Sequence, residues 1–423
     1  MNILMVTNTY KPLLGGLEKS IEIFTGGYRR RGHRVIIVAP EFENSVTEED
    51  LIRVPAIQHF KGTDFSVQLP APGVLSEALG SFRPDIIHAH HPFLLGDSAV
   101  RLSYKYNAPL VFTHHTLYEQ NTHYVGDSEA LKRFVAQLAT GYANLADCAF
   151  APSDSVKDLM KERGVDSRIE VVPTGIDVRR FTKGNPSAIR EKYGVPANAF
   201  VVGHLGRLAP EKNPEFMAQG VLRFLLKKPD AYFLVVGKGP SEDEIKTFFE
   251  NAGVGDRLRF TGPLSGQELV DGYHAMDVFA FASHSETQGL VLAEAMASGV
   301  PVVALDAPGA REVVWDKING RLLYKNSEEE FALALEWIAA LSGAALEKVR
   351  AACLSTAADF SKEKSIARAL EIYAELTAAK GFVRRTGENT PWENTVRLLQ
   401  ADWQLAKNLT RATTEALLPT TAE

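Results

Sequence analysis

Short apolar runs alternate with stretches of helical period along most of this chain, and they do so in two successive series. Ile3–Val6, Val35–Val38, Asp85–Ala89, Leu110–Thr113, Cys148–Ala151 and Glu170–Val172 read as strands of the first, with helical patterns over Leu17–Arg30, Ala99–Tyr106, Glu129–Leu145 and Ser153–Arg163 between them. The second begins at Phe200 and continues through Tyr232–Val236, Arg259–Gly262 and Val278–Ala282. A strand that is apolar throughout, rather than at every second residue, is buried on both faces, and strands separated by helices pair in parallel. The chain is therefore expected to be α/β, with one domain over residues 1–180 and another over 188–360. Val172–Asp177 ends the first, and the polar run Arg179–Ser187 reads as a linker. In such sheets ligands bind beyond the carboxyl ends of the strands, so the loops that follow strands hold the candidate chemistry.

Bulk properties narrow the function classes. A formal charge of −6 lacks the electrostatic footprint of a nucleic-acid binder. Cys148 and Cys353, far apart, give neither a disulfide framework nor a cysteine-rich metal site, which fits a reducing cytoplasm. Met1–Thr7 is too short an apolar run for a signal peptide and lacks its basic start. No stretch approaches the roughly 20 apolar residues that span a bilayer, so any membrane contact is expected to be peripheral.

After Val278–Ala282 the chain carries two carboxylates, Glu286 and Glu294, separated by seven residues. Helical character from Gly289 to Ser298 stops at Gly299, Val300 and Pro301, which puts Glu286 on the loop and Glu294 within the helix. Amides near Gly289 and Leu290, at the positive end of the helix dipole, suit a phosphate, and glycine lets it approach closely. Glu294 lies five residues further on, roughly 7.5 Å along the axis at about 1.5 Å per residue. A nucleotide-sugar has that layout, with its diphosphate in the middle, its ribose diol toward Glu294 and its sugar hydroxyls toward Glu286.

The strand from Phe200 runs to Gly206 and Arg207, and Lys212 follows just ahead of a helix from Pro214. Two cations leaving a strand end suit the neutralisation of a departing diphosphate without a metal ion. Consistently, the sequence holds no Asp-x-Asp pair.

At the other end of the chain, Ile3–Val6, the loop Asn8–Gly16 and the helix after it form the strand, turn and helix that open nucleotide-binding units, without a full Gly-x-Gly-x-x-Gly. Arg29, Arg30 and Arg31 before Gly32 read as cations at a helix C-terminus. Six of the eleven histidines fall between His88 and His123. His88 and His90 share one strand face and His91 takes the other, and no cysteine or His-x3-His pattern completes a site, so no metal is expected. His114 and His115 end a strand, the edge where ligands bind.

The stretch around Glu286 and Glu294 resembles the Glu-x7-Glu signature of the retaining glycosyltransferases of family 4 type, built as GT-B: two facing Rossmann-like domains with a cleft between them. Gly206–Asn213 is similar to the family's Gly-Arg-Leu-x3-Lys-Asn motif, and Thr113–Glu119, continuing to His123 and Tyr124, resembles the matching stretch of bacterial diacylglycerol glucosyltransferases. The resemblance covers roughly Asn2–Lys380. It implies His115, Arg207, Lys212 and Glu286 as catalytic residues, donor contacts from Gly16, Arg207, Lys212, Gly289, Leu290 and Glu294, and Tyr118 and Glu119 on the acceptor side. The implied reaction moves glucose from UDP-glucose to an acceptor hydroxyl by front-face attack, with diacylglycerol as acceptor and no cofactor or metal beyond the nucleotide-sugar itself. It also makes residues 361–380 the helix that crosses back to the first domain.

Three alternatives stay open. A soluble sugar or polyol acceptor suits the acidic chain and its sparse local basic charge, Lys132 and Arg133 against Asp127 and Glu129. A nucleotide-sugar epimerase would need no acceptor, and a silent nucleotide-sugar-binding module would not turn its ligand over. The expected location is the cytoplasm, with peripheral contact at the inner face of the membrane if the acceptor is a lipid. Residues 381–423 form a helical extension past the family core. Within it Trp392, Val396, Leu399, Trp403 and Ala406 recur as an amphipathic stripe, expected to pack on the chain's own body, with a homo-oligomer contact or a membrane surface as alternatives.

Overall fold

The computed structural model describes residues 1–13, 15–43, 45, 48–57, 67–68, 74–119, 128–284, 286–379 and 391–417. The chain forms two compact units, Met1–Thr174 with Ser365–Glu423, and Gly175–Lys364.

The first unit runs β1 (Asn2–Val6), α1 (Gly16–Arg30), β2 (Arg34–Pro40), β3 (Leu51–Val54), the short antiparallel pair β4 (Ala56–Ile57) and β5 (Val67–Gln68), α2 (Val74–Ala78), β6 (Ile86–Ala89), α3 (Leu95–Tyr106), β7 (Leu110–Thr113), α4 (Glu129–Leu145), β8 (Cys148–Ala151), α5 (Asp154–Glu162) and β9 (Ile169–Val171). Its seven-stranded parallel sheet has the order β3-β2-β1-β6-β7-β8-β9. Successive side chains of a strand take opposite faces. Ile3 and Met5 accordingly pack with Ile21, Phe24 and Tyr28 of α1, while Leu4 and Val6 pack with Leu95 and Ala99 of α3. Burial on both faces explains why β1 reads as a continuous apolar run.

The second unit continues with α6 (Pro186–Lys192), β10 (Phe200–Leu205), α7 (Pro214–Lys227), β11 (Ala231–Val236), α8 (Glu242–Asn251), β12 (Leu258–Gly262), α9 (Gly266–His274), β13 (Val278–Phe281), α10 (Leu290–Ala297), β14 (Val302–Leu305), β15 (Gly320–Leu323), α11 (Glu328–Ala339) and α12 (Gly343–Asp359). Its six strands are parallel in the order β12-β11-β10-β13-β14-β15. Val201, Phe279 and Val302 face one core with α9, α10 and α12, and Val202, Val278 and Val303 face the other with α7, α8 and α11.

Residues 179–187, expected as a linker, belong to the second unit. Val178–Phe181 forms a 3-10 turn and α6 begins at Pro186. Phe181 is 2% exposed, with its ring 5.7 Å from that of Tyr273. One large apolar side chain in a polar run is enough to tie the run to a core, so the division falls after Thr174.

The chain then returns to the first unit. In α13 (Lys362–Ala379), Ile366, Ala369, Ile372 and Tyr373 enter the core shared by α1 and β1, and a Cβ at Gly27 would stand 2.2 Å from Ile366 Cδ1.

The last helix, α14 (Pro391–Leu417), packs on α3 and α4 with the face opposite to the expected one. Ala401, Asn408, Ala412 and Ala416 are buried, whereas Trp392, Leu399 and Trp403 are 73%, 63% and 61% exposed. Small residues let two helix backbones approach, and Gly141 of α4 takes the place opposite Asn408, whose amide donates to the Leu138 carbonyl at 3.1 Å. Arg101 pairs with Asp402 at 2.7 Å, and Arg133 donates to the Ala416 carbonyl at 3.1 Å. Residues 380–390 and 418–423 of the predicted extension lie outside the described residues. Among the described residues, no helix is long and apolar enough to cross a membrane.

Candidate active site

In the second unit the strand order reverses between β10 and β13, so the loops leaving their carboxyl ends are neighbours at a switch point. The β10 loop carries Arg207 and Lys212, and the β13 loop carries Glu286. Lys212 Nζ lies 2.6 Å from Glu286 Oε1, although the two are 74 positions apart in sequence. The next pair along is also joined, with Asn213 Nδ2 3.2 Å from His284 Nε2. Arg207 pairs with Glu211 at 3.0 Å. Each cation of this loop is thus matched by a carboxylate, and an anionic ligand would enter by exchanging for that carboxylate.

Local geometry follows from the sequence. Pro210–Lys212 makes one 3-10 turn, Asn213 takes the left-handed conformation at φ 53°, and Pro214 starts α7 where a missing N–H costs nothing. Gly289 is left-handed at φ 67° before α10, and a Cβ there would stand 2.5 Å from the Gly309 carbonyl oxygen. Only glycine meets both conditions. Having no side chain, Gly289 cannot cap Leu290 and the amides beyond it, which is the arrangement that takes an anion at a helix start.

Glu294 is 2% exposed within α10, and Tyr273 of α9 donates to its Oε2 at 2.9 Å. The seven-residue separation therefore places one carboxylate in the loop and one beneath the helix surface. His204 on β10 lies near the Lys212–Glu286 pair and was not evident in the sequence pattern. Its Nδ1 is 3.0 Å from the Ala280 carbonyl, which makes Nδ1–H the donor, and burial pushes its pKa down to about 4.

In the first unit the switch point lies between β1 and β6. Asn8 ties the two loops there: its amide N–H donates to His91 Nδ1 at 3.1 Å, its side chain donates to the Phe93 carbonyl at 3.0 Å, and it accepts from the Leu95 amide at 3.0 Å. Gly16 opens α1 and is exposed, with no atom within 4 Å of a would-be Cβ.

One strand along, His115 follows β7 with its Nε2 2.8 Å from His90 Nδ1. Burial lowers the pKa of both well below the ordinary histidine value, helped by the neighbouring imidazoles. Glu119 is gripped by both terminal nitrogens of Arg163, at 2.7 and 3.3 Å. The Tyr118 hydroxyl is buried and has no hydrogen-bond partner among the described residues. His123 and Tyr124 lie outside the described residues. Among those described, no group of three His, Cys, Asp or Glu side chains is arranged to hold a metal ion.

Known proteins share this arrangement of units. Residues 14–180 match the family described as Glycosyltransferase Family 4, and residues 186–357 match Glycosyl transferases group 1. An alpha-monoglucosyldiacylglycerol synthase of Streptococcus pneumoniae is 30% identical over 332 residues, which are 77% of this chain and 75% of that protein. The chain belongs to glycosyltransferase family 4. This glycosyltransferase is also 28% identical over 393 residues to a GDP-mannose-dependent alpha-mannosyltransferase of Corynebacterium glutamicum, covering 89% of the one and 90% of the other. Its fold is similar to that of Anabaena HepE in complex with UDP, with a TM-score of 0.71 at 22% identity, over 89% of this chain and all of the other. The two parallel-sheet units are those of the GT-B fold, and the activity of the family 4 glycosyltransferase is the transfer of a sugar.

Proposed function

We propose that the protein moves glucose from UDP-glucose to a hydroxyl of diacylglycerol with retention of the anomeric configuration. The observation that carries this reading is the junction of Lys212, Glu286 and the Gly289 turn at the switch point of the second unit, on a chain similar to a glucosyldiacylglycerol synthase. The donor's diphosphate binds at the amides of Gly289 and Leu290, and Arg207 and Lys212 leave their carboxylates to hold it. Glu286, released by Lys212, accepts from the sugar hydroxyls. Glu294, oriented by Tyr273, accepts from the ribose. Gly16 leaves room for the donor, His115 orients the transferred sugar, and Tyr118 and Glu119 line the acceptor's approach.

As the glycosidic bond to the diphosphate breaks, the phosphate oxygen that leaves takes the proton of the acceptor hydroxyl, which attacks from the same face. The charge that develops on the diphosphate falls on Arg207 and Lys212, so the residues themselves supply what a metal ion would. The enzyme works in the cytoplasm at the membrane surface, where a diacylglycerol lies.

Labelled UDP-glucose offered with diacylglycerol micelles, and in parallel with soluble sugars and polyols, tests the reading. Glucosyl-diacylglycerol with an α-linkage, formed equally well in excess EDTA, is the expected product. Transfer to a soluble acceptor alone overturns the lipid assignment, and preference for GDP-mannose overturns the donor.

A further inference from the structure

The apolar stripe of α14 is left outside by the way the helix docks. At about 100° per residue, Trp392, Leu399, Trp403, Ala406 and Leu417 fall within an arc of roughly 60°, and all five are exposed. Ala401, Asn408, Ala412 and Ala416, which seat the helix on α3 and α4, lie on the opposite side. The chain's own body therefore takes the small face and leaves the large one to water. Single exposed apolar residues are ordinary. Two tryptophans and two leucines in one line, roughly 37 Å from end to end at about 1.5 Å per residue, mark a surface that something else covers.

The charges along the helix decide what covers it. α14 carries three carboxylates, and each is engaged within the chain: Asp402 by Arg101 at 2.7 Å, Glu415 by Arg411 at 2.8 Å, and Glu393 by a partner of its own. Lys407 borders the stripe, its Nζ over the Trp403 ring at 5.4 Å from the centroid. A second copy of the chain laid stripe to stripe would bury this cation with no free carboxylate on the helix to receive it, which is costly. A bilayer surface has no such cost. Tryptophan rings settle at the level of the headgroups, leucines reach the acyl boundary, and a lysine beside them keeps its ammonium in water while its stem lies on apolar surface. Among the described residues no helix is long and apolar enough to cross a membrane, so α14 can only lie along the interface.

We propose that α14 is a membrane-docking element, which lays the stripe from Trp392 to Leu417 on the surface of a lipid bilayer. With one cation at its border, the stripe holds the bilayer by apolar contact far more than by charge. The use of this contact, delivery of the enzyme to a lipid acceptor, rests on the function proposed above, while the contact itself rests on the stripe and its charges.

Flotation of the full chain with vesicles tests this. The wild type should rise with vesicles of phosphatidylcholine alone, and adding phosphatidylglycerol should improve binding by no more than roughly five-fold, the share of one lysine at an anionic surface. The double variant Trp392→Ala, Trp403→Ala should bind roughly ten- to hundred-fold more weakly, the loss expected when two rings no longer leave water. Amide exchange across residues 391–417 should stay as in the wild type, because neither ring packs on α4. A wild type that stays below the vesicles, or a double variant that binds as well, overturns the proposal. So does a wild-type dimer in sedimentation velocity that the double variant dissolves, which would make the stripe an interface between copies. If vesicles bind while labelled glucose passes only to soluble acceptors, docking stands and the lipid acceptor falls. If glucosyl-diacylglycerol forms in micelles while no vesicle binds, docking falls and the lipid acceptor stands.

Discussion

Lys212 is joined to Glu286 by a bond of 2.6 Å, with both side chains only about a quarter exposed, 27% and 23%. Partial burial and a charged partner make this contact stronger than a solvated surface pair. Arg207, 56% exposed and paired with Glu211, is held more loosely. In the proposed reaction both cations answer the charge that grows on the diphosphate, and the loss of one such group typically lowers turnover by 10²–10³. Arg207→Ala and Lys212→Ala should each show that loss in kcat in steady-state assays with UDP-glucose, while circular dichroism remains that of the wild type. A normal rate in both variants would remove them from the mechanism. Glu286→Gln separates two roles: it frees Lys212 yet leaves a hydrogen-bonding group on the sugar side, so its damage should appear in kcat more than in donor affinity.

How far these residues were legible in sequence depended on whether their partners were local. Arg207, Lys212, Glu286 and Gly289 stand in short motifs that follow strands, and parallel strands bring such loops to one edge. Nothing local marks Tyr273, Gly309 or His204, which act through contacts set by packing of α9, the β14 loop and β10. The same distinction explains α14. A period of three and four gave its helix and its stripe, but not which face docks, because α4 chose the small face through Gly141. A Cβ at Gly141 would lie 1.7 Å from Asn408 Oδ1, so Gly141→Val should push α14 off α4 while Trp403→Ala, at a 61% exposed position, should be nearly neutral. Amide hydrogen exchange across residues 391–417 is the measurement, and unchanged protection in Gly141→Val would contradict the docking described. The strand β3 and the linker that became part of the second unit were missed for a related reason: a short edge strand and a single buried Phe181 leave almost no periodicity to read.

The histidines of the first unit whose pKa burial lowers, His88, His90, His91, His114 and His115, make it sensitive to acid. Burial lowers the pKa of His88 and His91 to about 3 and of His114 to about 4, against 6.5 for a solvated imidazole, and shifts His90 and His115 the same way. A group whose folded pKa is depressed contributes stability that is fully present above its unfolded pKa and is lost as pH falls toward the folded one. The window opens near pH 6.5 and extends to about 3 for His88 and His91 and to about 4 for His114. Asp97 acts in the opposite sense, because desolvation raises its pKa to about 6 and lets the folded chain take up a proton that the unfolded chain does not hold above about 4. The three histidines His88, His91 and His114 against the one carboxyl leave the unfolded chain ahead by about two protons, so stability should fall by roughly 3 kcal/mol per pH unit in the middle of this window, with His90 and His115 adding in the same direction. A domain has only about 5–15 kcal/mol to lose, which places acid unfolding near pH 5, well above the titration of ordinary carboxylates. Thermal melts from pH 7.5 to 4.5 should show a level upper part and a steep fall below about pH 6. High salt should restore little, since the cause is loss of hydration rather than repulsion between exposed charges. A melting temperature that stays level down to pH 4.5 would mean that these imidazoles reach water in the folded protein, and the packing of His88 between Tyr373 and His90 would have to be abandoned.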